Sequence, residues 1–287
     1  MKGAAVIVAD AGNFTDYNMR ETREKTDCLL QCLGKMKYNV VGLNKQDLVN
    51  GVEYLQNEEK NNGIRFVCAN LNRKDSKRTI FRPYIIEKRA GIKVGFFGLS
   101  DEAFWKDKAL LDTSGLQIQP CREVYAEMVK KLRHKVHYLV LLTDLRNNVL
   151  DSLVQNIPGV DLILTTGSYN VNATRMANSN TLLVGTGSRG QDATMLEIPF
   201  NAQKGDSVVY RQVQKPLTED IKEDSTLVTL VTACRPKPVP AKIIPPDKNI
   251  PVKPGQTNLQ GRPVEPIKGV NTTPGDDKAK ETTPTNR

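Results

Sequence analysis

The chain has 287 residues, 39% of them hydrophobic, and a mean hydropathy of −0.43, which allows one sizeable domain or two small ones and leaves part of the length outside any core. No apolar run approaches the roughly eighteen residues of a membrane-spanning helix. The net charge of +9 invites an acidic polymer as partner, but ten Lys and Arg against five Asp and Glu lie from Arg235 onward, and the +4 left for the body argues against specific nucleic-acid recognition.

Apolar residues 4–9 predict a first strand. Asp10 and Gly12 end the run where a signal peptide would stay apolar, so it does not read as an export signal. Thr15 or Asp16 can cap a helix whose Leu29, Leu30, Leu33 and Met36 recur at helical spacing. A strand over 39–43 and a helix from about Asp47, with Leu48, Val49, Val52 and Leu55 inward, continue an α/β alternation. Residues 63–69 predict the next strand.

Residues 82–101 carry the strongest pattern: a strand over 84–87, a polar turn through 88–91 and a buried strand over 92–99, together a hairpin entering a sheet. A short helix over 101–108 brings Phe104 and Trp105 as a core plug. Residues 122–133 place Val124, Met128 and Leu132 on one helical face, and 138–143 are apolar throughout, as in a strand covered on both sides. A helix near 149–157, strands near 160–164, 181–184, 193–198 and 207–214, and a closing helix over 224–234 complete the body.

From Arg235 the composition changes, with eleven of the sixteen prolines and no aromatic residue. Proline fixes φ and removes donors, so residues 235–287 predict a basic, Pro-rich disordered tail, a spacer or a polyproline ligand for a partner domain or acidic surface. The five cysteines, 28, 32, 68, 121 and 234, are odd in number and form no Cys-x-x-Cys pair. That is not a disulfide framework; Cys28 and Cys32 read as two small helix residues one turn apart.

Pro83-Tyr84-Ile85-Ile86-Glu87, followed by Gly91-Ile92-Lys93-Val94-Gly95-Phe96-Phe97-Gly98-Leu99, closely resembles a segment of the metallophosphatase domain in the 5'-nucleotidase and UDP-sugar hydrolase family, a calcineurin-like group. The resemblance covers about residues 4–234, without the family's second, substrate-binding domain. It implies an α/β sandwich of two mixed sheets flanked by helices over 1–234, lacking its first strand, and then the tail over 235–287.

The family holds two divalent cations with Asp, Asn and His at strand ends, where the metals activate a water between them. At the positions that resemble those motifs, Asn13 stands for the bridging aspartate and Asn44 is kept. Lys45 replaces a histidine, Asp144 replaces another, and Gly167 and Tyr169 occupy the two places of the His-x-His motif. The Asp-x-His strand would precede Met1. An ammonium with a reference pKa of about 10.4 has no lone pair for a cation, so Lys45 opposes metal binding. An ion pair between Lys45 and Asp144 would replace the lost metal as a cross-link.

The resemblance thus implies a metallophosphatase-like protein that has lost most of its metal ligands, a non-catalytic binding or interaction module without a cofactor, whose partner is a protein or a small phosphorylated ligand. The alternative is a residual phosphoesterase acting on nucleotides or other phosphate esters, using one divalent metal on Asn13, Asn44 and Asp144 or ligands supplied by residues before Met1. A third reading is a thiol-based redox or cofactor-associated role. Family relatives are mostly exported to the periplasm or the cell surface. Gly185, Gly187 and Gly190 fit a dinucleotide fingerprint, but a strand is predicted after them where that motif needs a helix. His134 and His137 match no family ligand, and Asn13-Phe-Thr and Asn172-Ala-Thr fit a glycosylation sequon.

Overall fold

A computed structural model describes residues 5–15, 22–74, 76, 78–105, 115–166, 171–185, 187, 190–198 and 210–234. The Pro-rich segment beyond residue 234 lies outside the described residues.

Strands β1 (Ala9–Asp10), β2 (Val40–Gly42) and β3 (Phe66–Val67) form a parallel sheet in that order. Next to β3, β4 (Leu71–Arg73) pairs antiparallel with β7 (Leu116–Ile118). The larger sheet contains β5 (Tyr84–Arg89), β6 (Ile92–Leu99), β8 (Tyr138–Thr143), β9 (Leu162–Thr165), β10 (Thr174–Arg175) and β11 (Leu182–Gly185), in the order β10-β11-β9-β8-β6-β5. Its four inner strands β6, β8, β9 and β11 run parallel, and β5 and β10 are antiparallel edges. Of the two sheets expected to be mixed, only the larger is; the smaller is wholly parallel among the described residues. A separate ribbon joins β12 (Asp192–Glu197) to β13 (Arg211–Pro216).

Strand periodicity builds the layers. Phe96, Val140 and Leu142 pack with Val40 and Val67 of the other sheet, while the alternate residues Phe97, Leu99, Leu139 and Leu141 point the opposite way. These meet α3 (Cys121–Leu132) and α4 (Asn147–Asn156) through Val124, Tyr125, Met128, Leu150 and Leu153. On the far face of the smaller sheet, Val41 and Phe66 pack on Leu30 and Leu33 of α1 (Thr22–Lys35) and Leu55 of α2 (Val52–Asn62). The result is a helix–sheet–sheet–helix sandwich.

The hairpin has the predicted place, with Tyr84 opposite Phe97 and a turn in which Ala90 and Gly91 both take positive φ. Gly98 is required by close approach: a Cβ there would strike the carbonyl oxygen of Val67 in the facing sheet, and the Gly98 oxygen accepts Ala69 N–H at 2.8 Å. On β5, Glu87 points inward and is buried, held by Arg65 at 2.6 Å and Arg89 at 3.0 Å.

Several expectations are corrected. The strand expected over 4–9 is paired only at Ala9–Asp10. Met36 and Val49 are exposed, because α1 ends at Lys35 and a 3-10 turn (Lys45–Asn50) precedes α2 and changes the angular spacing. Trp105 plugs the core while Phe104 faces out, adjacent positions on a 3-10 turn (Glu102–Trp105). The closing helix, α5 (Ser225–Cys234), buries none of its residues. Cys28 on α1 is bonded to Cys234 on α5, with Cα atoms 5.8 Å apart. The spacing could not reveal this bond, since the fold joins residues 206 positions apart. Cys32, one turn from Cys28, is a buried free thiol.

Candidate functional site

The carboxyl ends of the parallel strands gather the polar residues. There β1 leads into residues 11–15, β2 into Asn44, β3 into Asn70, β6 into Ser100 and Asp101, β8 into Asp144 and β9 into Thr166. Leu99, Thr143 and Thr165 share one level of the larger sheet. Ligands of open α/β folds bind at this edge, where loops and free backbone groups emerge from an apolar interior.

Asp47 organises the half of this edge that belongs to the smaller sheet. It is fully buried, and its Oδ2 accepts the backbone N–H groups of Asn13 at 2.9 Å and Asn44 at 3.0 Å, while Oδ1 accepts that of Thr15 at 3.3 Å. Burial pushes its carboxyl up to about 7, against the pull of those N–H groups, and the nearby Asp10 adds to the rise. Gly12, at φ +99°, leaves the loop room: a Cβ would lie 2.7 Å from Asn44 Nδ2. Asn13 follows in the left-handed region at φ 58°, which Asn tolerates better than most residues. Its Nδ2 then donates to Thr166 Oγ1 at 2.9 Å, joining the end of β1 to that of β9.

The half that belongs to the larger sheet is organised by two carboxylates. Asp101 N–H donates to Asp144 Oδ1 at 2.6 Å, Asp101 Oδ1 accepts Ala103 N–H at 2.8 Å, and Asp101 Oδ2 has Arg146 Nε at 3.6 Å. Both acids are buried. Burial also pushes Asp144 up to about 7, with the Asp101 N–H opposing and the Asp101 carboxylate reinforcing the rise. Beside them the Asn70 side chain bridges β3 to β6, donating to Ser100 O at 2.8 Å and accepting Ser100 N–H at 3.0 Å. Cys121 Sγ lies 3.2 Å from the same Ser100 oxygen. Burial pushes Cys68 up to about 12 and Cys121 further, so neither is a ready nucleophile at neutral pH.

The structure thus brings four of the six sequence-predicted positions, Asn13, Asn44, Lys45 and Asp144, to one edge; Gly167 and Tyr169 lie outside the described residues. The expected Lys45–Asp144 ion pair does not form. Lys45 Nζ instead donates to Phe104 O at 2.6 Å, because the two 3-10 turns lie side by side, and Asp144 is taken by the Asp101 amide. His134 and His137 precede β8, at the opposite edge, and His137 Nδ1 accepts Lys93 N–H at 3.0 Å. The strand β12 follows Gly190, so the glycine triplet opens no helix.

Sequence reasoning missed Asp47, Asp101, Arg146 and Thr166. Asp47 looked like the first residue of a helix, and nothing in its neighbours signals three distant N–H partners. The donor chemistry does not fit a pair of divalent cations. Lys45 offers only protons, and Asn13 and Asn44, whose Nδ2 atoms donate to Thr166 Oγ1 and to Ala11 O at 3.1 Å, keep only neutral amide oxygens that bring no charge to offset two cations. Among the described residues, no three His, Cys, Asp or Glu side chains are grouped so as to hold a metal ion.

No family model and no curated protein matches the chain. Solved structures do match. The chain aligns with a 5'-nucleotidase precursor from Thermus thermophilus at 19% identity and TM-score 0.67, over 81% of this chain and 50% of that one. It aligns with the sulfate thiohydrolase SoxB of the same organism at 18% identity and TM-score 0.69, over 79% and 42%. With the calcineurin-like phosphoesterase YfkN of Bacillus subtilis the values are 15% and 0.61, over 79% and 82%. The chain has the metallophosphatase-like fold of these proteins. It spans about half the length of the first two.

Proposed function

We propose that this is a non-catalytic metallophosphatase-fold module that binds a small anionic ligand at the strand-end edge without hydrolysing it. The observation that carries the reading is Lys45: its ammonium stands at an expected ligand position and is fixed on Phe104 O. Asn13 and Asn44 support it because a neutral amide, unlike a carboxylate, brings no negative charge to offset two cations. Lys45 and Arg146 supply positive charge to that edge, which favours an anion, and the loops that metals would gather are held by Asp47.

A nucleoside monophosphate is a suitable probe, since structural neighbours include 5'-nucleotidases. Calorimetry without added metal is expected to show binding that Lys45→Ala weakens about tenfold, the loss of one charged contact. Incubation with Mn²⁺ or Zn²⁺ is expected to release no phosphate above buffer. Phosphate release that disappears in Asp144→Ala would overturn the non-catalytic reading in favour of a residual phosphoesterase, and absence of binding would overturn the ligand class.

A further inference from the structure

The helix α5 is attached to the body in an unusual way. None of its ten residues is buried, and Val228 and Val231 are 39% and 40% exposed. Its side-chain and capping hydrogen bonds are local: Thr226 and Leu227 N–H to Asp224 Oδ1, and Thr229 Oγ1 to Ser225 O. Among the described residues, no hydrogen bond or ion pair joins it to another element. A ten-residue helix is marginal by itself in water, since nucleation costs more than so few turns return. The helix lies along α1 with Leu227 and Leu230 half-buried, and the covalent tie between the two is the bond from Cys234, its last residue, to Cys28 on α1. Both cysteines are half-buried, open enough for a small thiol to reach.

We propose that Cys28–Cys234 is a redox-sensitive latch that holds α5 against α1, so that reduction frees α5 while the sandwich stays folded. A dithiol reductant opens it in two steps. One reductant thiolate attacks a sulfur of the bond, forming a mixed disulfide, and the other protein sulfur leaves as a thiolate that takes up a proton. The second reductant thiolate then closes its own disulfide and releases the remaining cysteine, which is protonated in turn. Two electrons pass to the protein, and the reductant leaves oxidised. The body does not depend on the bond, because Phe97, Leu99, Leu139 and Leu141 are buried in a cluster that contains no α5 residue. Such bonds persist in oxidising surroundings and open in reducing ones, so the latch follows the surroundings of the chain.

The test uses the full chain, oxidised with a glutathione pair, and native maleimide labelling read by mass. No label is expected before reduction and two labels after mild dithiol treatment, since Cys32, Cys68 and Cys121 are buried. Hydrogen exchange supplies the second readout. Amides of α5 are expected to exchange at least about tenfold faster in the reduced chain, with β6 and β8 unchanged, as for a local opening. The double variant Cys28→Ser, Cys234→Ser is expected to show the fast α5 exchange with or without reductant, and its β6 and β8 amides report whether it folds. If it does not fold, the comparison of oxidised and reduced wild type decides alone. Equal α5 exchange in the two states, or labelling of Cys28 and Cys234 before reduction, would overturn the latch.

Discussion

Two buried aspartates set the chemistry of the strand-end edge. Asp47 and Asp144 are each raised to about 7, chiefly by burial. An unfolded chain releases these protons near 4, so between about 4 and about 7 the folded chain binds more protons than the unfolded one. Their contribution to stability is therefore fully present at low pH and is lost as pH rises through about 7. Asp144→Asn is expected to flatten that part of the stability profile, measured by urea unfolding at several pH values; an unchanged slope would mean that Asp144 does not titrate there. Asp47→Asn has an added cost, because its amide turns a donor toward one of three backbone N–H groups. A loss of about 1–3 kcal/mol is expected at about pH 5, where protonated Asp47 carries no charge to remove. Lys45→Met should release the turn at Phe104, lowering stability by about 1 kcal/mol and speeding hydrogen exchange over Glu102–Trp105.

At the scale of elements, the hairpin of β5 and β6 fixes how the sheets meet. Gly98 lets β6 lie directly on the Val67 carbonyl, so Gly98→Ala forces the two sheets apart. The expected cost is about 1–3 kcal/mol, seen as a lower urea midpoint with an unchanged slope. This element was legible in the sequence, since the apolar run from Ile92 to Leu99 and the turn at Gly91 are local signals. The strand-end loops were legible only in part. Asn13, Asn44, Lys45 and Asp144 were placed by resemblance, but their partners Thr166, Ala11, Phe104 and Asp101 are set by tertiary contacts. The resemblance suggested a Lys45–Asp144 pair across converging strand ends, and backbone groups took both side chains instead. The bond between Cys28 and Cys234 was hidden for the same reason: an odd cysteine count says nothing about which two the fold brings together.

The described body is a metallophosphatase-like sandwich whose strand ends are tied by amides, a lysine and buried carboxyls. Packing is spread over dozens of apolar positions and survives substitution, whereas a two-metal site depends on a few lone-pair donors and is undone by changing several of them. The most direct test of this contrast is the metal stoichiometry of the full chain after equilibrium dialysis against Mn²⁺ or Zn²⁺, read by elemental analysis. Well below one equivalent of metal per chain is expected, unchanged in Asp144→Ala. About two equivalents per chain, as a two-metal phosphoesterase holds, lost on Asp144→Ala, would contradict the proposed non-catalytic reading.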